Sequence, residues 1–219
     1  MKHVFVETNW VVDVAAPAHH RVPAAVELLE RAKRGELKLH LPAISIIEAR
    51  RAIPNRFEPR NEADAIRRFL GAGNTSITPE EKEVVYRLLS QYEQTVRTEF
   101  RMLEQTLQSL IVAPGLEVFA LSERMLKLQV ELSPLNLNLH PFDQAVLAAV
   151  LGRAEELRAL GESDFTFCEL DSDLQPWNKN GGLKQPLTRL YDERRIWVFG
   201  EYGMDDQPSP PAAWSREGA

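Results

Sequence analysis

One cysteine in 219 residues, Cys168, removes two classes of scaffold at once. A single thiol makes no internal disulfide framework and no thiolate zinc cluster from this chain alone. It lies in the apolar stretch FTFCEL, which marks it as a small buried hydrophobe. Also missing is any apolar run near the roughly 20 residues of a membrane-spanning helix. The opening MKHVFVETNW carries an acid at position 7 and no signal-peptide apolar stretch, so a cytoplasmic setting without membrane contact is expected. Cations are in the minority, 26 Lys and Arg against 32 Asp and Glu, for a net charge of −6. That balance argues against a broad, non-specific nucleic-acid binder, which would be basic. It leaves room for a nuclease, because a metal site brings its own acids.

Several motifs are absent too. No GxGxxG or GxxxxGK[ST] follows a strand-like run, which removes dinucleotide and P-loop nucleotide binding. No serine sits in a nucleophile elbow. The five histidines (His3, His19, His20, His40 and His140) show no zinc-ligand spacing, and the His19-His20 pair reads as loop surface.

What is present is an ordinary globular composition, 44% hydrophobic and 26% charged, long enough for one core with a helical elaboration. Apolar, β-branched runs recur at 3–7, 37–41, 165–170 and 196–199, mostly separated by helical patterns. That alternation predicts an α/β fold with a parallel sheet, the 3–7 strand central. Residues 23–34 are periodic and stop at Gly35; residues 43–53 form a second helical pattern, expected to end at Pro54; Pro141 opens a third.

The middle of the chain differs. Thr78-Pro79-Glu80-Glu81 is a capping box with proline just inside it. Behind it Val85, Leu89, Tyr92, Val96, Phe100, Leu103, Leu107 and Leu110 are spaced by threes and fours, predicting a long helix over 79–112. Val118, Leu121, Met125, Leu128 and Leu132 offer a second stripe over 118–132. An antiparallel helical hairpin at about 75–132, turning at Pro114-Gly115, would bury both, as core filling or as a dimer seam or substrate clamp. The domain then runs over 1–203, and 204–219, rich in proline and small residues, is expected to be a disordered tail.

The polar residues at the ends of the apolar runs carry the chemistry. Glu7 follows the first run, and in doubly wound sheets ligands bind at the carboxyl ends of strands. Glu48 lies in AISIIEARRAI, one turn after Ser45. Asp143 is the third residue of the helix opened by Pro141 and shares a face with Val146, Leu147, Val150 and Ala154, so it points towards the sheet. Asp171 and Asp173 follow FTFCEL directly. Each has an ordinary reading: a loop acid, a solvated residue beside Arg51, a partner for the helix dipole. Together they predict acids converging on one sheet edge, costly unless cations neutralise them. With oxygen ligands alone, the natural cations are Mg²⁺ or Mn²⁺.

The order VFVETN, LPAISIIEA, LHPFDQAVLAAVL and TFCELDSDL resembles the PIN-domain nucleases over roughly residues 1–55 and 133–200. The resemblance implies a PIN-like three-layer fold and a metal-dependent endoribonuclease, a hydrolase acting on RNA. By it, Glu7, Glu48, Asp143 and Asp171 match the catalytic acids. Glu7, Asp143 and Asp171 would be direct metal ligands, Asp173 is a second candidate at the fourth position, and Thr8 and Asn9 match the supporting polar pair. Two metal ions would activate a water and stabilise the leaving oxygen of an in-line displacement. The family's first acid is usually Asp, and Glu7 is one methylene longer. The Glu48–Asp143 separation also exceeds that of compact members. Arg50, Arg51, Arg56, Arg60, Arg67 and Arg68 cluster after Glu48, and Lys179 and Lys184 follow the last acids; Arg50, Arg51 and Lys179 are the candidate phosphate contacts. The haloacid-dehalogenase pattern, a nucleophilic Asp with a second acid two residues on, meets Glu7 and Asn9 instead. The alternative function is a non-catalytic PIN-like domain that binds RNA, a protein partner or a second copy through the helical arm.

Overall fold

The computed structural model describes residues 1–72 and 76–204. The four apolar runs become strands β1 (Lys2–Phe5), β2 (Leu37–Pro42), β4 (Phe165–Cys168) and β5 (Ile196–Phe199), and a further strand, β3 (Leu116–Phe119), joins them. The sheet order is β3-β2-β1-β4-β5 with every neighbouring pair parallel, and β1 is central.

Alternate residues of each strand face opposite sides of a sheet, and both sides are apolar here. Val4, Val6, Leu37, Leu39, Leu41 and Phe199 enter one core. It is completed by α1 (Thr8–Ala15), α2 (Pro23–Lys33), α3 (Ala43–Arg56) and α6 (Leu103–Ile111), through residues such as Trp10, Leu28, Ile53 and Leu107. Phe5, Phe165, Phe167, Ile196 and Val198 enter the other core with α7 (Glu123–Leu132), α8 (Pro141–Ala159) and α9 (Gln185–Glu193). Two more helices, α4 (Pro59–Gly71) and α5 (Pro79–Arg101), pack on each other. The chain is thus an α/β protein with helices on both faces of a parallel sheet. Among the described residues no helix is long and apolar enough to cross a membrane.

The expected helical hairpin at 75–132 is not formed. Leu116–Phe119 is the edge strand β3, and within 118–132 the helix begins only at Glu123, capped by Ser122. The 79–112 stripe is buried at Leu89, Val96, Leu103, Leu107 and Leu110, but the helix breaks at Met102 between α5 and α6. Leu103, Leu107 and Leu110 belong to the first core, whereas Leu128 and Leu132 belong to the second. The sheet stands between the two stripes, so they do not pair; α7 packs on α8 instead. Pro54 lies inside α3, in its last turn, rather than ending it. Residue 75, the first of the expected hairpin, lies outside the described residues, as does the expected tail apart from Met204, which is buried in the first core.

Gly115 shows why β3 begins where it does. Its φ is +78°, a Cβ built there would lie 2.2 Å from the Ala32 carbonyl oxygen, and its own carbonyl accepts the Leu39 N–H at 2.8 Å. The left-handed backbone disfavours a side chain, and the contact is with backbone that has nowhere to move. Gly115→Ala should therefore destabilise the fold by about 3 kcal/mol, read as a fall in the urea midpoint.

Candidate functional site

From β1 the chain winds outward to β2 and β3, then returns to the other side of β1 for β4 and β5. The carboxyl ends of β1 and β4 therefore flank the point where the winding reverses, the position at which open α/β sheets form a ligand crevice. Phe5 and Phe167 are register partners across this pair. Two residues further on, the chain carries Glu7 on one side and Glu169 on the other.

Glu7 is the N-cap of α1. Its extended backbone (φ −133°, ψ −162°) lets Oε1 accept the Asn9 N–H at 2.8 Å, satisfying one of the helix's unpaired donors. Thr8, the first helical residue, donates its hydroxyl to Glu48 Oε2 at 2.6 Å, tying α1 to α3. Glu48 is half-buried on the flank of the face formed by Ser45, Ala49 and Ile53; Ser45 is fully buried, and its Oγ has no hydrogen-bond partner. Asp143 is half-buried in the first turn of α8, just before the buried run from Val146 to Leu151. Asp171 donates its N–H to Glu169 Oε1 at 2.6 Å and accepts the Asp173 N–H at 2.8 Å. The loop is anchored by Gln175 Nε2 on the Glu169 carbonyl at 2.8 Å, the Tyr191 hydroxyl on the Leu174 carbonyl at 2.9 Å, and the Lys184 ammonium on the Ser172 carbonyl.

These acids feel one another. Burial pushes the Glu7 carboxyl up from its ordinary 4.5 to about 8; the Asn9 N–H opposes the rise, and the charges of Glu48 and Asp171 add to it. Asp143 is raised by burial and then by Asp171 and Glu48. Glu169 is wholly inaccessible, its Oε2 makes no hydrogen bond, and burial followed by the charge of Glu7 pushes it well above the usual carboxylate range. The expected acids Glu7, Glu48, Asp143 and Asp171 thus share one electrostatic neighbourhood. Asp173 is exposed and acts on Asp143 only weakly.

Glu169 was not among the expected site residues. Its signal is the pairing of two short words, Phe-Val-Glu at 5–7 and Phe-Cys-Glu at 167–169, once the strands are known to be in register. Among the expected phosphate contacts, Arg50 does not join the acids. It lies about 200° around α3 from Glu48, at 100° per residue, and its guanidinium pairs with Glu104 of α6. Arg60 and Arg67 pair with Asp64, and Arg67 also with Glu93. Arg51 and Lys179 are exposed, on α3 and in the turn after Trp177.

Carboxylate oxygens are hard donors suited to Mg²⁺ or Mn²⁺. Among the described residues, the one three-residue group with ligand atoms all within 4.8 Å of one another is His19, His20 and Glu62; the acids are more widely spread. Like charges gathered in one neighbourhood are costly unless protons or a cation neutralise them. Neither a scan against protein-family models nor a search of curated proteins returns a match. Fold and site together define a doubly wound, all-parallel α/β protein with a carboxylate cluster at its switch point.

Proposed function

We propose that the chain is a PIN-like metal-dependent ribonuclease. The observation that carries this reading is the gathering of Glu7, Glu48, Asp143, Asp171 and Glu169 at the switch point, with the Glu169 Oε2 buried and unpartnered. A buried carboxylate oxygen without a hydrogen bond is costly unless it is protonated or faces a cation. Glu7, Asp143 and Asp171 would hold Mg²⁺ or Mn²⁺, which supplies an activated water and charge neutralisation at the scissile phosphate. Thr8 orients Glu48, the Asn9 N–H fixes Glu7, and Glu169 fixes Asp171 through its N–H. Arg51, on the same helix as Glu48, is the better placed arginine for a backbone phosphate.

The test is cleavage of single-stranded RNA by the full chain. Cleavage is expected with Mn²⁺ or Mg²⁺, none with chelator, and recovery when the metal is restored. Glu7→Asp belongs in the same assay, since it keeps a good N-cap while withdrawing the carboxylate by one methylene. One observation favours a second reading, a binding module without catalysis: Ile66, Phe69, Val84, Tyr86 and Leu88 of the α4–α5 pair are exposed large apolar side chains. Exposed apolar side chains on this helix pair suit a protein partner or a second copy. Silence of both wild type and Glu7→Asp towards RNA, without metal binding, would favour that module.

A further inference from the structure

We propose that His19, His20 and Glu62 form a second metal site, for Zn²⁺, which fastens the α4–α5 pair to the loop after α1. The three residues come from two places far apart in sequence: the short 3-10 turn Ala18–His20, and the first turn of α4. One ligand atom from each lies within 4.8 Å of the others. His20 Nε2 stands 3.3 Å from Glu62 Oε1. Two ligands on a tetrahedral zinc with bonds of about 2.0–2.1 Å stand about 3.3–3.4 Å apart, so this edge of the polyhedron already has the right length.

The surroundings support the same assignment. His20 Nε2 is shielded from solvent and has no hydrogen-bond partner, although the residue is only half-buried. The ring is held by stacking on Phe57, with centroids 4.7 Å apart and planes 28° apart, and the Arg56 guanidinium lies over the far ring. Tyr92 of α5 donates its hydroxyl to the second Glu62 oxygen, Oε2, and stands 3.2 Å from His19 Nε2. That bond leaves Oε1 free for the ion and orients the carboxylate, as outer partners of zinc ligands do. His19 and Glu62 are exposed, so an ion can enter without rearrangement of the fold.

The donor set separates this site from the acid cluster. Two imidazoles and a carboxylate suit zinc, whereas oxygen donors alone suit magnesium and manganese. Its place in the fold gives the ion a structural part. The neighbouring Ala18 N–H already bonds Glu99 Oε2 of α5 at 2.8 Å, and a zinc bound here would join the loop to α4 directly and to α5 through Tyr92.

Titration of the chelator-stripped full chain with Zn²⁺ at neutral pH, followed calorimetrically and by the visible bands of Co²⁺ as substitute, tests the site. One equivalent bound in the micromolar range is expected, with a rise in thermal midpoint. His20→Ala should weaken this binding by about 10-fold or more and abolish the midpoint rise, while Asp143→Asn should leave both unchanged. Far-ultraviolet circular dichroism of His20→Ala should match wild type, because the side chain is near the surface. Equal Zn²⁺ binding by wild type and His20→Ala, or no binding at micromolar zinc, would overturn the proposal.

Discussion

Asp143→Asn should abolish metal-dependent RNA cleavage and at the same time raise the thermal midpoint of the protein in chelator. The two effects have one cause. Asp143 is raised above its ordinary 3.8 by burial and by the charges of Asp171 and Glu48, so its ionised form is less favourable in the folded chain than in the unfolded one. The helix-dipole interaction at the start of α8 favours the charge by about 0.3–1 kcal/mol and works against this effect. A neutral amide of the same shape removes the unfavourable charge and keeps the polar contacts. A divalent cation, however, needs that charge. Losing one anionic ligand should cost several kcal/mol of transition-state stabilisation, about 100- to 1000-fold in rate at ~1.4 kcal/mol per tenfold. Undiminished cleavage by a stable Asp143→Asn protein would place the activity elsewhere. A lowered midpoint in chelator would show that Asp143 is there for the helix, not for an ion.

The parts of the fold that periodicity can express were legible in the sequence. A strand buried on both faces reads as a continuous apolar run, and the four such runs are strands β1, β2, β4 and β5. Edge strand β3 was not legible, because Leu116, Glu117 and Val118 are only half-buried and Val118 falls in step with a helical stripe that continues to Leu132. The partners of the stripes were not legible either. Spacing says which face of a helix is apolar, but not which side of a sheet it covers, and α6 and α7 lie on opposite sides. Helix α1 was hidden because Glu7, Thr8 and Asn9 look like a break in an apolar run, although Glu7 is the cap that starts it. At the site, Glu7, Glu48, Asp143 and Asp171 stood out as carboxylates in apolar settings. Glu169 did not, since its role depends on the register of β1 with β4, a tertiary fact. The triad of His19, His20 and Glu62 was invisible for the same reason: Glu62 comes from another helix.

In chelator, stability should fall as pH rises from 6.5 to 8, and Mn²⁺ should reverse that trend. Glu7 carries a folded-state value of about 8 against an ordinary 4.5. Between those values the folded chain holds a proton that the unfolded chain has released. An acid of this kind contributes stability that is full below 4.5 and lost as pH rises through about 8, with a slope of up to about 1.4 kcal/mol per pH unit. Glu169, Asp143 and Asp13, all raised chiefly by burial, act in the same direction. His40 opposes them: burial lowers it from 6.5 to about 3, so its contribution is lost as pH falls below 6.5 and is complete above it. The interval from 6.5 to 8 therefore isolates the carboxylates. Glu7→Gln, which keeps an oxygen for the Asn9 N–H but carries no proton to lose, should remove the Glu7 share of the slope and leave that of Glu169, measured as the urea midpoint at each pH. With Mn²⁺ the ionised carboxylates are the binding form, so affinity and stability should both grow with pH. A wild-type midpoint that does not fall with pH in chelator would mean that Glu7 is already ionised and the cluster is neutralised by something other than protons or metal.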